Sequence, residues 1–214
     1  FEGQAAPSPA LAIFGPGQRY LRGLYSGGTL AAEAQAILVD YLPAVYANAP
    51  LQKQNKLESA LVSRRHTIID LGEDEFTVGR LHPMMDNDLR IKRLVQEADD
   101  PESAVLLLDV VLGYGAHPDP AGELAPVIRR CIDRANSAGR HLHVVAVVVG
   151  TDEDPQGLSR QAEQLTEAGA LVEYDHEAAV RRVGEILRTL AGYDGPTADA
   201  GLLHAPPAAI NVGL

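Results

Sequence analysis

The 214-residue sequence has one cysteine, Cys131, and no tryptophan. A single thiol excludes an intrachain disulfide framework and a cysteine-built zinc site, and it suits a reducing, cytoplasmic compartment. Basic charge is also scarce, with 18 Lys and Arg against 29 Asp and Glu for a formal charge of −11. That balance argues against a nucleic-acid partner, which requires a basic patch, and against docking on anionic lipid. Anionic substrates would need locally positive sites. Long apolar runs are missing too: Ala104–Leu108 and Val144–Val149 fall far short of the ~20 residues that span a bilayer. Hydrophobic residues at 46% beside charged residues at 22% still fit a soluble globule with a real core.

The opening FEGQAAPSPA has neither a charged n-region nor an apolar h-region, so it does not read as a signal peptide. Residues 1–18 read as a linker from a preceding domain, 19–191 as the folded unit, and 192–214 as an Ala/Pro-rich tail. With Phe rather than Met at position 1, the chain is expected to be a piece of something longer. Leu202, Leu203, Ile210 and Val212 in the tail predict that it lies across its own domain or a neighbouring subunit.

Between the termini, strands alternate with helices. Arg19–Tyr25 reads as a strand that runs into Ser26-Gly27-Gly28-Thr29. Leu30, Ala34, Ile37, Leu38 and Tyr41 then share one helical face. Ala44–Ser63 reads as a loop with a short helix, and Thr67–Leu71 as a strand. Asp88 is placed to cap a helix with Ile91, Leu94, Val95 and Ala98 on its inner face. Ala104–Val111 and His143–Val149 are nearly all apolar, as in parallel strands buried on both faces. Between them lies a helix striped by Leu124, Val127, Ile128, Cys131, Ile132 and Ala135. Gly157–Ala168 reads as another helix, Ala170–Glu173 as a fifth strand, and Val180, Val183, Leu187 and Leu190 mark the last helix. Five β-α units predict a flavodoxin-like, doubly wound, five-stranded parallel sheet of order 2-1-3-4-5.

In such sheets, ligands bind outside the carboxyl ends of the strands. Four loops share that rim: Ser26–Thr29, Gly72–Asp86, Gly113–Pro120 and Gly150–Gly157. Glycines between a strand and a helix let amide N–H groups meet an anion, and the helix dipole adds favourable potential. Ser26, Gly27, Gly28 and Thr29 are therefore a candidate phosphate or carboxylate cradle, with a tight turn capped by Thr29 as the alternative; Ser26 or Thr29 is expected to cap the following helix, leaving its first amides free for an anion. It is not a Walker A loop, since no GKS or GKT occurs. Arg80 is a candidate fork for a substrate anion, and His82 and His117 are candidate acid–bases. Each also reads as a plain surface-loop residue. Asp109, a charged residue inside an apolar strand, must find a loop N–H or a cation. The acidic loop Gly150–Gly157 reads as a cap on its helix start, or as a group orienting a partner or Mg²⁺. No metal site is otherwise evident. His66, His141, His143, His176 and His204 read as structural or solvent-facing.

Taken in order, GLYSGGTL (Gly23–Leu30), HTIIDLGEDEFTVGRLHPM (His66–Met84), LLLDVVLGYGAHPDPA (Leu106–Ala121) and GTDEDPQGL (Gly150–Leu158) resemble the FdrA family of acyl-CoA-synthetase-like proteins. Ser26–Leu30 with Glu33 also resembles the turn opening the phosphate-facing helix of succinyl-CoA synthetase α subunits, and Asp70–Asp109 resembles their next unit. The resemblance spans about Tyr20–Leu190. It implies the C-terminal, flavodoxin-like ligase half of a longer protein, with CoA held by a preceding nucleotide-fold domain. It also implies neighbouring subunits or a homo-oligomer, and a small carboxylate or acyl-phosphate substrate. Some family members resemble a subunit of oxamate carbamoyltransferase. The chain departs from succinyl-CoA synthetases in one respect. Their phosphorylated histidine lies in a glycine-rich loop that corresponds to the shorter Gly150–Gly157, which contains no His.

These features predict an enzyme domain in which Ser26–Thr29 bind a phosphoryl group, Arg80 neutralises charge, and His117 or His82 moves a proton. The competing reading is a non-catalytic assembly domain; a flavin-binding flavodoxin domain is a third. On the enzymatic reading, His117 is expected beside the cradle, its direction restricted by Pro118.

Overall fold

Strands with no polar face must be covered on both sides, and that requirement decides the architecture. The computed structural model describes residues 14–191. Its strands are β1 (Tyr20–Tyr25), β2 (Tyr46–Ala47), β3 (Thr67–Asp70), β4 (Ser103–Val111), β5 (His143–Val149) and β6 (Leu171–Glu173). Its helices are α1 (Gly28–Leu38), α2 (Asp74–Thr77), α3 (Asp88–Asp99), α4 (Pro120–Ser137), α5 (Leu158–Glu167) and α6 (His176–Leu190). The linker before residue 14 and the tail from 192 lie outside the described residues. Residues just ahead of β1 already bond to the domain. Gln18 is buried, and its Nε2 donates to Ser103 O and His141 O, both at 2.7 Å.

The sheet has six strands in the order β2-β3-β1-β4-β5-β6, and every pairing is parallel. The five expected strands stand in the expected order. The count of five is corrected by β2, an edge strand in the segment read as a loop with a short helix. It is two residues long, too short to show any period. A 3-10 turn, Lys53–Asn55, follows it.

Helices α1 and α6 cover one face, where Ala34 and Leu38 meet Val180, Val183 and Leu187. Helices α3, α4 and α5 cover the other, where Leu94, Leu124, Ile128 and Leu165 meet Leu106 and Leu108 of β4. Each fully buried Leu or Val stabilises the fold by ~1.5–3 kcal/mol. Helix α3 departs from its expected apolar face. Arg90, Arg93 and Glu97 are buried along with Leu94 and Ala98, whereas Ile91 and Val95 are only partly buried. Its start is corrected too: Asp88 is the first helical residue, and its N–H donates to Asp86 Oδ1 at 2.7 Å.

His66 joins the three strands at one end of the sheet. Its Nδ1 accepts from the Leu21 N–H of β1 at 3.3 Å, and its carbonyl accepts from the Tyr46 N–H of β2 at 2.8 Å. Burial, reinforced by the nearby Arg22 and Arg65 charges, lowers its pKa from 6.5 to about 4. The unfolded chain therefore binds this proton more readily. The neutral ring stabilises the fold fully above pH 6.5, and this contribution is lost as pH falls towards 4. We expect urea unfolding to show stability dropping over that window, with His66 responsible for up to ~3 kcal/mol. In His66→Gln the slope should flatten; an unchanged slope would refute the assignment.

Candidate functional site

Strands β1 and β4 are neighbours whose following helices cover opposite faces of the sheet. Ser26, just past β1, and Asp109, near the end of β4, meet where the two diverge. The Ser26 N–H donates to Asp109 Oδ1 at 2.8 Å, and its hydroxyl donates to Asp109 Oδ2. From α3, Arg90 reaches the same carboxylate, Nη2 to Oδ1 at 3.0 Å, and also donates to the Asp109 carbonyl. Asp109 is 1% exposed and Arg90 2%. Asp109 thus obtains both kinds of partner expected from its sequence context, a loop N–H and a cation.

This arrangement overturns the expected cap. Neither Ser26 nor Thr29 caps α1. Gly27 is the N-cap residue, in an extended conformation, and no side chain accepts from the first turn. Ser26 has its hydroxyl proton committed to Asp109, so Ser26 is not a free donor to a ligand. The Ala31 N–H bonds back to Gly27 O at 3.4 Å, and the amides ahead of it are those a helix start leaves unpaired. Gly28 and Thr29 are exposed, and a Cβ on Gly27 would meet nothing within 4 Å. The start of α1 is open.

Two residues close the far side of the cradle. Asp70, at the end of β3, is 3% exposed. Its Oδ1 accepts from the Gly72 N–H at 2.8 Å. Its Oδ2 lies 2.9 Å from where a Cβ on Gly28 would stand. The buried Asn48 holds its backbone, accepting from the Asp70 N–H at 2.9 Å and donating to its carbonyl at 2.8 Å. Burial raises the Asp70 pKa above the usual carboxylate range. The Gly72 N–H opposes that rise, the Asp109 charge adds to it, and His82 opposes it. His82 accepts from the Met84 N–H at Nδ1, 3.2 Å, which leaves the proton on Nε2. A Cβ on Gly72 would lie 3.1 Å from His82 Nε2, 3.1 Å from Asp70 Oδ1 and 2.9 Å from Ser26 O. Gly72 is therefore the gap on which Ser26, Asp70 and His82 converge.

The other candidates lie in different settings. The His117 ring pins its own loop: Nδ1 accepts from the Asp119 N–H at 3.1 Å, and Nε2 lies 3.3 Å from Glu123 Oε1. The His117 backbone N–H donates to Met84 O at 2.7 Å, tying this loop to the His82 loop. Arg80 is exposed and lines a groove of about 750 Å³ with Lys56, Glu58, Glu73, Glu75 and Phe76. It makes no hydrogen bond or ion pair with residues 26–29 among the described residues. In the last rim loop, Asp152 accepts from Ser159 N–H at 2.6 Å and Asp154 from Thr151 N–H at 2.7 Å. These carboxylates cap and close the loop. Among the described residues, no group of three or more His, Cys, Asp or Glu side chains is placed to hold a metal ion. Glu33 on α1 pairs with Nδ1 of His176, whose Nε2 lies 2.9 Å from the Tyr25 hydroxyl. That chain ties α1 to α6 beneath the cradle.

A CoA-ligase family model matches residues 24–186, which contain every group just described. The chain belongs to the CoA-ligase family. It is also 41% identical over 157 residues to the uncharacterized protein YahF of Escherichia coli (strain K12). The match covers 73% of this chain and 30% of that protein, so the chain spans about 30% of its relative's length. No helix among the described residues is long and apolar enough to cross a membrane.

Removing Arg90 would leave the Asp109 charge buried with only Ser26 as partner. Loss of one member of a buried pair costs ~3–5 kcal/mol. We expect Arg90→Ala to lower stability by that amount in denaturant titration. A loss below ~1 kcal/mol would show that the pair does not organise this site.

Proposed function

We propose that this domain binds the phosphoryl group of an acyl phosphate or of inorganic phosphate at the start of α1. It would act in the cytoplasm as the ligase domain of an FdrA-like acyl-CoA synthetase family protein. The observation that carries the reading is the uncapped, solvent-open first turn of α1 at the carboxyl edge of the sheet, with Ser26 held in place from below. Fixed amide donors aimed at developing charge supply the largest favourable contribution in such transfers. Gly27, Gly28 and Thr29 would provide them, together with the dipole of α1. His82 carries its proton on the nitrogen that faces the cradle and would act as the acid–base. Arg80 would attract the substrate anion from its groove rather than grip the phosphoryl group. CoA chemistry would belong to a preceding nucleotide-fold domain. The natural setting would be a homo-oligomer or a complex with neighbouring subunits. The finer reading is a subunit of oxamate carbamoyltransferase.

One observation favours the alternative, a non-catalytic assembly domain. The Gly150–Gly157 loop is short, lacks histidine and is closed on itself by Asp152 and Asp154. On that reading, α1 would lend its dipole to a partner's site.

An assay of the full-length protein with its neighbouring subunits separates these readings, comparing CoA plus an acyl phosphate with carbamoyl phosphate plus oxamate. If the enzyme reading holds, one pair turns over. His82→Ala should then lower the rate by ~10²-fold or more with stability nearly unchanged. His117→Ala, which disturbs only its own loop, should cost less than about tenfold. No turnover with either pair, or full turnover in His82→Ala, would contradict the assignment.

A further inference from the structure

The cradle holds a carboxylate where an anion-binding site would be expected to exclude one. Asp70 is buried, one oxygen is bonded to the Gly72 N–H, and the other, Oδ2, has no hydrogen-bond donor among the described residues. That free oxygen abuts Gly28, at the first turn where the anion would sit. Asp70 is held rigidly there, because Asn48, just past β2, clamps its backbone N–H and C=O. Gly28 accommodates it, since a Cβ at that position would strike Oδ2.

An oxyanion and an ionised carboxylate in contact repel unless a proton lies between them. Building on the phosphoryl reading above, we propose that Asp70 makes the α1 site selective for an oxyanion that brings its own proton. The ligand class is hydrogenphosphate or a monoprotonated phosphate ester. Its P–OH donates to Asp70 Oδ2 while its other oxygens accept from the α1 amides. A dianion without a proton, such as sulfate, meets the unshared charge of Asp70 and is rejected. The groups that bear on Asp70 are Asp109 from β4, itself neutralised by Arg90 of α3, and His82 from the loop after α2. Glu75 of α2 stands behind Asn48, accepting from its Nδ2 at 3.1 Å.

The test compares inorganic phosphate with sulfate on the 214-residue chain at pH 7 and constant ionic strength, following the Gly28 and Thr29 amides by NMR. The wild-type chain should bind phosphate at least about tenfold more tightly than sulfate, because a site built around a ligand hydroxyl penalises an analogue lacking it. Asp70→Asn keeps an oxygen for the Gly72 N–H and removes the charge. In that variant sulfate should gain affinity and the ratio should fall to near one. Acidification of the wild-type chain should also narrow the ratio, because a protonated Asp70 can donate to sulfate. A charged His82 would strengthen both anions alike and leave the ratio unchanged. Equal binding of the two anions by wild type, or an unchanged preference in Asp70→Asn, overturns the proposal while leaving the cradle intact. Binding of neither anion overturns the cradle as well.

Discussion

Everything at the carboxyl edge of this sheet hangs on one buried charge. Asp109 lies near the end of an apolar strand at 1% exposure, where an unpaired carboxylate would be prohibitively costly. It is compensated from two directions. Arg90 comes from α3 below the sheet, and the Ser26 N–H and hydroxyl come from the turn after β1. This requirement explains the buried Arg90 on α3, while Arg93 beside it is paired with Glu97 and donates to the Ala60 carbonyl. It also commits Ser26 to a structural bond, and with Gly27 at the N-cap the first turn of α1 has no side-chain cap.

The surrounding loops are held to each other as well as to the sheet. The His117 N–H bonds Met84 O, and buried Gln156 donates to the carbonyls of Gly113 and His117 at 2.8 and 3.0 Å. Three rim loops are thereby connected, and His82 is positioned by a loop that the His117 loop supports. A site of preset donors needs this rigidity, because small displacements cost much of the benefit of orientation.

The fold was largely legible because its signals are long. β4 and β5 are unbroken apolar runs, and α4 shows a full stripe from Leu124 to Ala135. β2 escaped, since two residues paired only by backbone carry no pattern. The inner face of α3 escaped for a different reason. Periodicity assigns charged residues to solvent, and Arg90, Arg93 and Glu97 are buried by pairing. Asp109 carried the signal for this, a lone charge in an apolar strand that demands a cation, but the sequence does not say which arginine answers. At the site, the glycine turn was readable from its type and place. Asp70 and Asn48 were not, because their importance lies in side-chain contacts that no local pattern marks: Asp70 reaches Gly28 of α1, and Asn48 clamps the Asp70 backbone. The expected cap failed because Gly27 holds the N-cap position and the Ser26 hydroxyl bonds across the sheet to Asp109.

The central claim is that the start of α1 is a working anion site. Titration of the ¹⁵N-labelled 214-residue chain with inorganic phosphate tests it most directly. The account predicts saturable shifts at Gly27, Gly28 and Thr29 at millimolar phosphate, lost in Gly27→Val, whose side chain would occupy the open space above the turn. Absence of those shifts in the folded wild-type chain, or shifts that persist in Gly27→Val, would contradict it.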